Sequence, residues 1–148
     1  MKSTTFRFVI VLIIIAFLID CAATAMAPPA RVSELPQDEI MLDKTNFSKM
    51  IEVPGRVSMV DFFSPTCPPC RIMDSVVKKL SIRFRGKALI GKVNVETDDS
   101  LKLIYPAIPT PAFIFFSEGA VAGIMRGVLT EDSLAGVIDG LIQGKHSF

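Results

Sequence analysis

From Glu39 onward the chain alternates short apolar runs with stretches of helical period, and this order restricts the fold more than any other feature of the sequence. "EIMLD" (39–43) predicts a short strand. "KTNFSKMIEV" (44–53) predicts a helix with Phe47, Met50 and Ile51 on one face, stopped by Pro54-Gly55. "RVSMVDFFS" (56–64) is apolar almost throughout, the pattern of a strand covered on both faces. After Cys67 the period changes: Ile72, Met73, Val76, Val77 and Leu80 recur at helical spacing, and Gly86 ends the helix. "KALIGKVNVE" (87–96) is a second strand of the buried type, and "TDDSLKLIY" (97–105) opens with capping residues and predicts a short helix. "PAFIFFS" (111–117) and "AVAGIMRG" (120–127), separated by Glu118-Gly119, predict a hairpin. "TEDSLAGVIDGLI" (130–142) starts at a threonine cap and carries the apolar stripe Leu134, Val137, Ile138 and Leu141. Met59, Met73 and Met125 read as core filler. The order β-α-β-α-β-α-β-β-α, a crossover followed by a hairpin and a last helix, predicts an α/β domain with a mixed central sheet and helices on both faces.

What precedes this domain reads differently. Lys2 and Arg7 are followed by the uncharged run "VIVLIIIAFLI" (9–19), ended by Asp20. At helical rise the run spans about 16 Å, roughly half the hydrocarbon core of a bilayer. Basic, apolar and then small residues is the order of a secretory signal, and Ala23-Thr24-Ala25 offers a cleavage site after Ala25. "LIDC" also resembles a lipobox, with Cys21 as the candidate for lipidation and Asp20 where a small residue normally stands. The chain therefore divides into a signal peptide or membrane or lipid anchor (1–25), a Pro-rich tether (26–38), the α/β domain (39–144) and a short tail (145–148). The product is expected to be exported, in the periplasm or on the outer face of the cytoplasmic membrane, with the N-terminus as a candidate membrane tether.

Cysteine number and charge exclude several classes. With Cys21 removed or acylated, the mature domain holds only Cys67 and Cys70, so no framework of bridges between distant segments can form. The chain carries 16 basic and 15 acidic residues, and residues 1–25 contain Lys2, Arg7 and Asp20, which leaves a neutral domain. Neutrality gives no electrostatic case for nucleic acid as a partner.

"FFSPTCPPCRIM" (62–73) places the cysteine pair where the buried strand turns into a helix. Cys67, in the first helical turn, meets unpaired backbone N–H groups and the positive end of the macrodipole, both of which stabilise a thiolate. Cys70 lies one turn on, close enough to bridge. Cys67 is thus the expected attacking sulfur and Cys70 the resolving one. Pro68 and Pro69 lack N–H groups and stiffen the loop at the helix entry.

With "VDFFSPTCPPC", "ALIGKVNVE" and "AIPTPAFIFFSEGAVAGIMRGV" in place, residues 39–143 resemble a thioredoxin. The resemblance implies the thioredoxin fold and a thiol–disulfide oxidoreductase. It places Ile108-Pro109-Thr110 at the family's cis-proline motif beside the redox pair, where the neighbouring backbone meets substrate. It makes Asp61 the buried acid that exchanges protons with the resolving cysteine, and an Asp in an apolar strand is costly without a partner or a raised pKa. Lys92 matches the lysine near that acid. Thr66, Pro68, Pro69, Ile108 and Pro109 become the candidate substrate-binding residues. The chain departs from the family at Thr66 and Phe63, which replace tryptophan and another aromatic, at Pro68, which replaces glycine, and at Ser75, which replaces a helix-kinking proline.

The expected function is thiol–disulfide exchange with protein substrates, as reductase or isomerase, by a monomer recharged by a membrane or thiol electron donor. No cofactor is expected. The loop lacks the histidine of strongly oxidising relatives. Two other classes remain in view: a redox-silent interaction or chaperone module, and a metal carrier of the copper type, which needs a histidine beside the cysteine pair. The single histidine, His146 in "QGKHSF", reads as a solvated end, so no metal is expected.

Overall fold

The computed structural model describes residues 38–145 except 106 and 108. The signal or anchor, Cys21, nearly all of the tether, Ile108 and His146 lie outside the described residues. Among the described residues nine elements follow in the order read from the sequence: β1 (Ile40–Leu42), α1 (Phe47–Ile51), β2 (Val57–Phe63), α2 (Pro68–Arg83), β3 (Leu89–Asn94), α3 (Asp99–Ile104), β4 (Ala112–Ser117), β5 (Ala120–Arg126) and α4 (Glu131–Ile142). The five strands form one mixed sheet in the order β1-β3-β2-β4-β5. β3 is parallel to both β1 and β2, while β2–β4 and β4–β5 are antiparallel. The hairpin turns at Glu118 and Gly119, with φ of 54° and 79°, the pair of positive values that a two-residue turn needs to match strand twist.

Strand alternation sends side chains to two cores. Val60, Phe62, Ile114 and Phe116 point to the face covered by Phe47 of α1 and by Leu101 and Tyr105 in and after α3. There Phe47, Phe62, Tyr105 and Phe116 pack as an aromatic group, with Phe47 and Tyr105 ring centroids 5.0 Å apart and Tyr105–Phe116 edge-on at 5.4 Å. Tyr105 keeps its hydroxyl satisfied by donating to Glu52 Oε1 at 2.7 Å. Met59, Ile90, Phe113 and Phe115 point to the opposite face, against Met73, Val77 and Leu80 of α2 and Leu134, Ile138 and Leu141 of α4. Helices thus cover both faces, and β2, the central strand, is 0% exposed from Ser58 to Val60 and at Asp61 and Phe62.

The two helices of the second face are fixed by different devices. α4 has a hydroxyl cap: Thr130 Oγ1 accepts from the Ser133 N–H at 3.2 Å, and Glu131 and Asp132 complement the positive end of the helix. α2 starts with Cys67 at the cap position and Pro68 and Pro69 behind it, so the prolines occupy positions whose N–H would have no helical partner. Ile72, placed by its spacing on the apolar face of α2, is 59% exposed instead. The buried stripe is Cys70, Met73, Val77 and Leu80, and Ile72 lies outside it on the first turns of the helix. Met59 and Met73 are fully buried, and Met73 Sδ also accepts the Leu129 N–H at 3.4 Å. α2 runs unbroken through Ser75, whose hydroxyl turns back to the Ile72 carbonyl at 3.4 Å.

Candidate active site

β2 delivers the chain to the surface at Phe63, and the turn Ser64–Thr66 hands it to α2. Cys67 and Cys70 are joined as a disulfide, their Cα atoms 5.4 Å apart, at the amino end of that helix. The two sulfurs differ in access. Cys67 is partly exposed, whereas Cys70 is 2% exposed and faces the core. An incoming sulfur can therefore reach Cys67, and Cys70 can attack only from inside.

Two contacts hold the turn ahead of Cys67. Glu96, just past β3, accepts from Ser64 Oγ and, at 2.6 Å, from Thr66 Oγ1, and these hydroxyl hydrogen bonds hold its carboxyl below the usual range. Thr66 N–H in turn donates to Ser64 Oγ at 3.2 Å. From the helix side, Arg71 donates through Nη2 to the Pro65 carbonyl at 3.2 Å. Thr66 thus presents an exposed residue whose hydroxyl is tied to Glu96. Glu96, Ser64 and Arg71 were missed by sequence reasoning. The signal was a carboxylate and two hydroxyls in segments that parallel pairing brings side by side: Phe63 pairs with Asn94 at the ends of β2 and β3.

Across from the disulfide, Cys67 Sγ lies 3.6 Å from the Thr110 carbonyl oxygen. A cis peptide bond lies at Thr110–Pro111; the bond expected to be cis, Ile108–Pro109, involves Ile108 and lies outside the described residues. Pro109 lies in an exposed bend. β4 begins at Ala112, paired with Phe62 and Arg126, and the Pro111 carbonyl accepts the Gly127 N–H at 2.9 Å, so Pro111 is the residue locked to the strand end. "IPTP" contains two prolines two residues apart, and the sequence reading singled out Pro109 and not Pro111.

Below the pair, Asp61 is fully buried and neither carboxyl oxygen has a hydrogen-bond partner. Burial pushes its pKa up to about 7; Lys92 opposes the rise, and the negative charges of Asp74 and Glu39 add to it. Lys92 is the register partner of Asp61 on β3. Its ammonium, however, is bonded to Asp74 Oδ1 at 2.5 Å and sits 4.6 Å above the Phe63 ring. Asp74, on α2 one turn after Cys70, was not singled out from the sequence. Among the described residues no group of three or more His, Cys, Asp or Glu is placed to hold a metal ion, and no helix is long and apolar enough to cross a membrane.

Comparison with known proteins decides the family. The thioredoxin family model matches residues 38–140, most of the chain. The chain belongs to the thioredoxin family. It is 30% identical over 94 residues to thioredoxin 2 of Chlorobaculum tepidum, covering 64% of this chain and 86% of that protein. It is 31% identical over 88 residues to a Staphylococcus aureus thioredoxin, covering 60% and 85%. Among solved structures, a mutant thioredoxin of Halobacterium salinarum superposes with a TM-score of 0.66 at 22% identity, covering 73% of this chain and 94% of that one. The thioredoxin of Malassezia sympodialis gives 0.64 at 21% identity over 70% and 90%. These last two speak to the fold, which is the thioredoxin fold expected from the sequence. As a thioredoxin-family thiol–disulfide oxidoreductase with its cysteine pair intact, the protein acts on protein disulfides.

Proposed function

We propose that this thioredoxin-family protein is an exported reductase or isomerase of protein disulfides, in which Cys67 attacks and Cys70 resolves. The contrast in exposure across the Cys67–Cys70 bond carries the reading. In the reduced protein the Cys67 thiolate attacks a substrate disulfide; that S–S bond breaks, a mixed disulfide forms, and the first substrate sulfur leaves as a thiolate that takes a proton from water. Cys70 then gives its proton to the Asp61 carboxylate and attacks Cys67 Sγ. The second substrate thiolate departs, the substrate has gained two electrons and the protein is oxidised. A carboxyl with a pKa near 7 is matched to accepting and returning a proton at neutral pH. Thr66, Pro68 and Ile72, which are exposed, and the half-buried Pro69 form the rim that meets the substrate, with the Thr110 carbonyl behind it. The uncharged loop Pro68-Pro69 adds nothing to thiolate stability beyond the helix end, which favours reduction or isomerisation over strong oxidation.

Export rests on Lys2 and Arg7 ahead of the apolar run 9–19. In this reading the mature protein works as a monomer in the periplasm or at the outer face of the cytoplasmic membrane, held there if Cys21 is acylated, and a membrane or thiol donor returns its electrons.

Protein beginning at Met26 should reduce insulin disulfides with dithiothreitol as donor, and Cys67→Ser should bring the rate to background. Retained activity in that variant would refute the mechanism. Cys70→Ala should accumulate mixed disulfides, whose partners identify the substrates. Mass analysis of the protein recovered from cell fractions reads the N-terminus directly: a chain starting at Met26 or an acylated Cys21 supports export, and an intact N-terminus on cytosolic protein contradicts it.

A further inference from the structure

Lys92 and Asp61 are register partners on adjacent parallel strands and share the face beneath α2. Each is buried, one positive and one negative, and a direct ion pair is the simplest arrangement. The structure has a different one. Lys92 Nζ is bonded to Asp74 at 2.5 Å and lies over Phe63, while both Asp61 oxygens are without a hydrogen-bond partner. Asp74 reaches the lysine because it stands four residues after Cys70, on the same side of α2 and one turn further from the helix start. Its side chain is half exposed, and its Oδ1 takes the ammonium.

The surroundings of Asp61 contain few other charges. From β3 comes Lys92, from α2 Asp74, and from the residue before β1 Glu39, whose Oε2 is buried and also has no hydrogen-bond partner. The rest of the layer is apolar: Met59 on the same strand, Phe113 and Phe115 on β4, and Leu134, Ala135 and Ile138 on α4. Lys92 is thus the cation that bears on Asp61 among the described residues, and its ammonium is held by Asp74.

We propose that Asp74 is a positioning residue that, by drawing the Lys92 ammonium toward α2, withholds it from Asp61 and so keeps the buried carboxyl able to take up the Cys70 proton. This rests on the role assigned to Asp61 above. The arrangement links three of the four groups to the active-site helix, with Cys70 and Asp74 on one turn-to-turn line. If the ion pair were only a pin between helix and sheet, its loss would lower stability and leave the proton affinity of Asp61 unchanged.

Carbon-detected NMR titration of the Asp61 carboxyl in the oxidised protein separates the two. In Asp74→Asn the midpoint should fall by about one pH unit or more, because a like charge is lost and Lys92 is freed to pair with Asp61. Asp74→Glu should restore the wild-type value. In a Lys92→Met background the Asp74→Asn shift should shrink clearly. An unchanged midpoint in Asp74→Asn overturns the proposal, and so does an equal shift with and without Lys92, since Asp74 would then act through its own charge alone. The pH profile for release of the mixed disulfide should move in the same direction as the titration. The role of Asp61 itself fails separately: Asp61→Asn leaving that release rate and its profile unaltered would remove the proton-transfer step, whatever the titration of Asp74→Asn shows.

Discussion

Asp61 is the residue whose burial has the clearest thermodynamic consequence. Its folded-state pKa, near 7, lies above the unfolded value of 3.8, so the folded protein binds the proton more tightly than the unfolded chain. The stability this gives is fully present below the unfolded pKa and is lost as pH rises through the folded one. Asp61→Asn removes the titration. The variant should gain on the wild type as pH rises from 4 to 7, by up to about 1.4 kcal/mol per pH unit, and the difference should level off above pH 8. Urea unfolding of the oxidised proteins across that range checks it; a difference that is flat with pH contradicts the burial account. Cys67, Cys70 and Asp61 were legible as residues because each is unusual in its setting: a spaced cysteine pair at a strand-to-helix switch, and an acid inside an apolar strand. Proline 111 was not, since which of two neighbouring prolines abuts a strand depends on register with β2 and β5. Asp74 and Glu96 were not either. Both look like solvated charges until the fold brings Lys92 to one and two hydroxyls to the other.

At the scale of elements, α2 does two jobs with one period: it presents the sulfurs at its start and closes the second core along its length. Leu80 belongs to the second job alone. It is 0% exposed, so Leu80→Ala should lower stability by about 2–4 kcal/mol, seen as a lower urea midpoint with the slope unchanged. Without denaturant the variant should still exchange disulfides at close to the wild-type rate, because the helix start is untouched. Capping gives a smaller test at α4, where Thr130→Ala removes the acceptor for the Ser133 N–H and should cost about 1 kcal/mol by the same unfolding measurement. β1 is attached to the sheet by a three-residue ladder to β3, and Gly91 makes room for it: a Cβ there would strike the Leu42 side chain. Gly91→Val should therefore destabilise by about 1–3 kcal/mol despite the better strand propensity of valine. The order and type of every element could be read from apolar period, because each strand and helix buries one or two well-marked faces. Helical spacing misplaced Ile72 because the buried stripe of α2 starts at Cys70, runs through Met73, Val77 and Leu80, and leaves Ile72 on the exposed side.

The whole molecule joins a closed domain to an active site at its edge. Among the described residues the buried members of both core clusters run from Leu42 to Leu141, so a chain beginning at Met26 should melt in one cooperative transition, checked by calorimetry, with equal calorimetric and van't Hoff enthalpies. Central β2 is buried along its length and stops where the chemistry starts, and this juxtaposition gives the two sulfurs unequal access. The alternation of elements conveyed that architecture in advance; the tie from Glu96, the Thr110 contact and the Lys92–Asp74 pair needed the assembled sheet. The central claim is that the outer sulfur reacts and the inner one waits. Timed alkylation of the fully reduced protein with iodoacetamide between pH 5 and 9, with the modified site mapped by mass spectrometry, tests it most directly. The account predicts rapid modification at Cys67 near neutral pH with Cys70 protected until the protein is denatured. Equal labelling of the two cysteines, faster labelling of Cys70, or no reaction at either near pH 7 would contradict it.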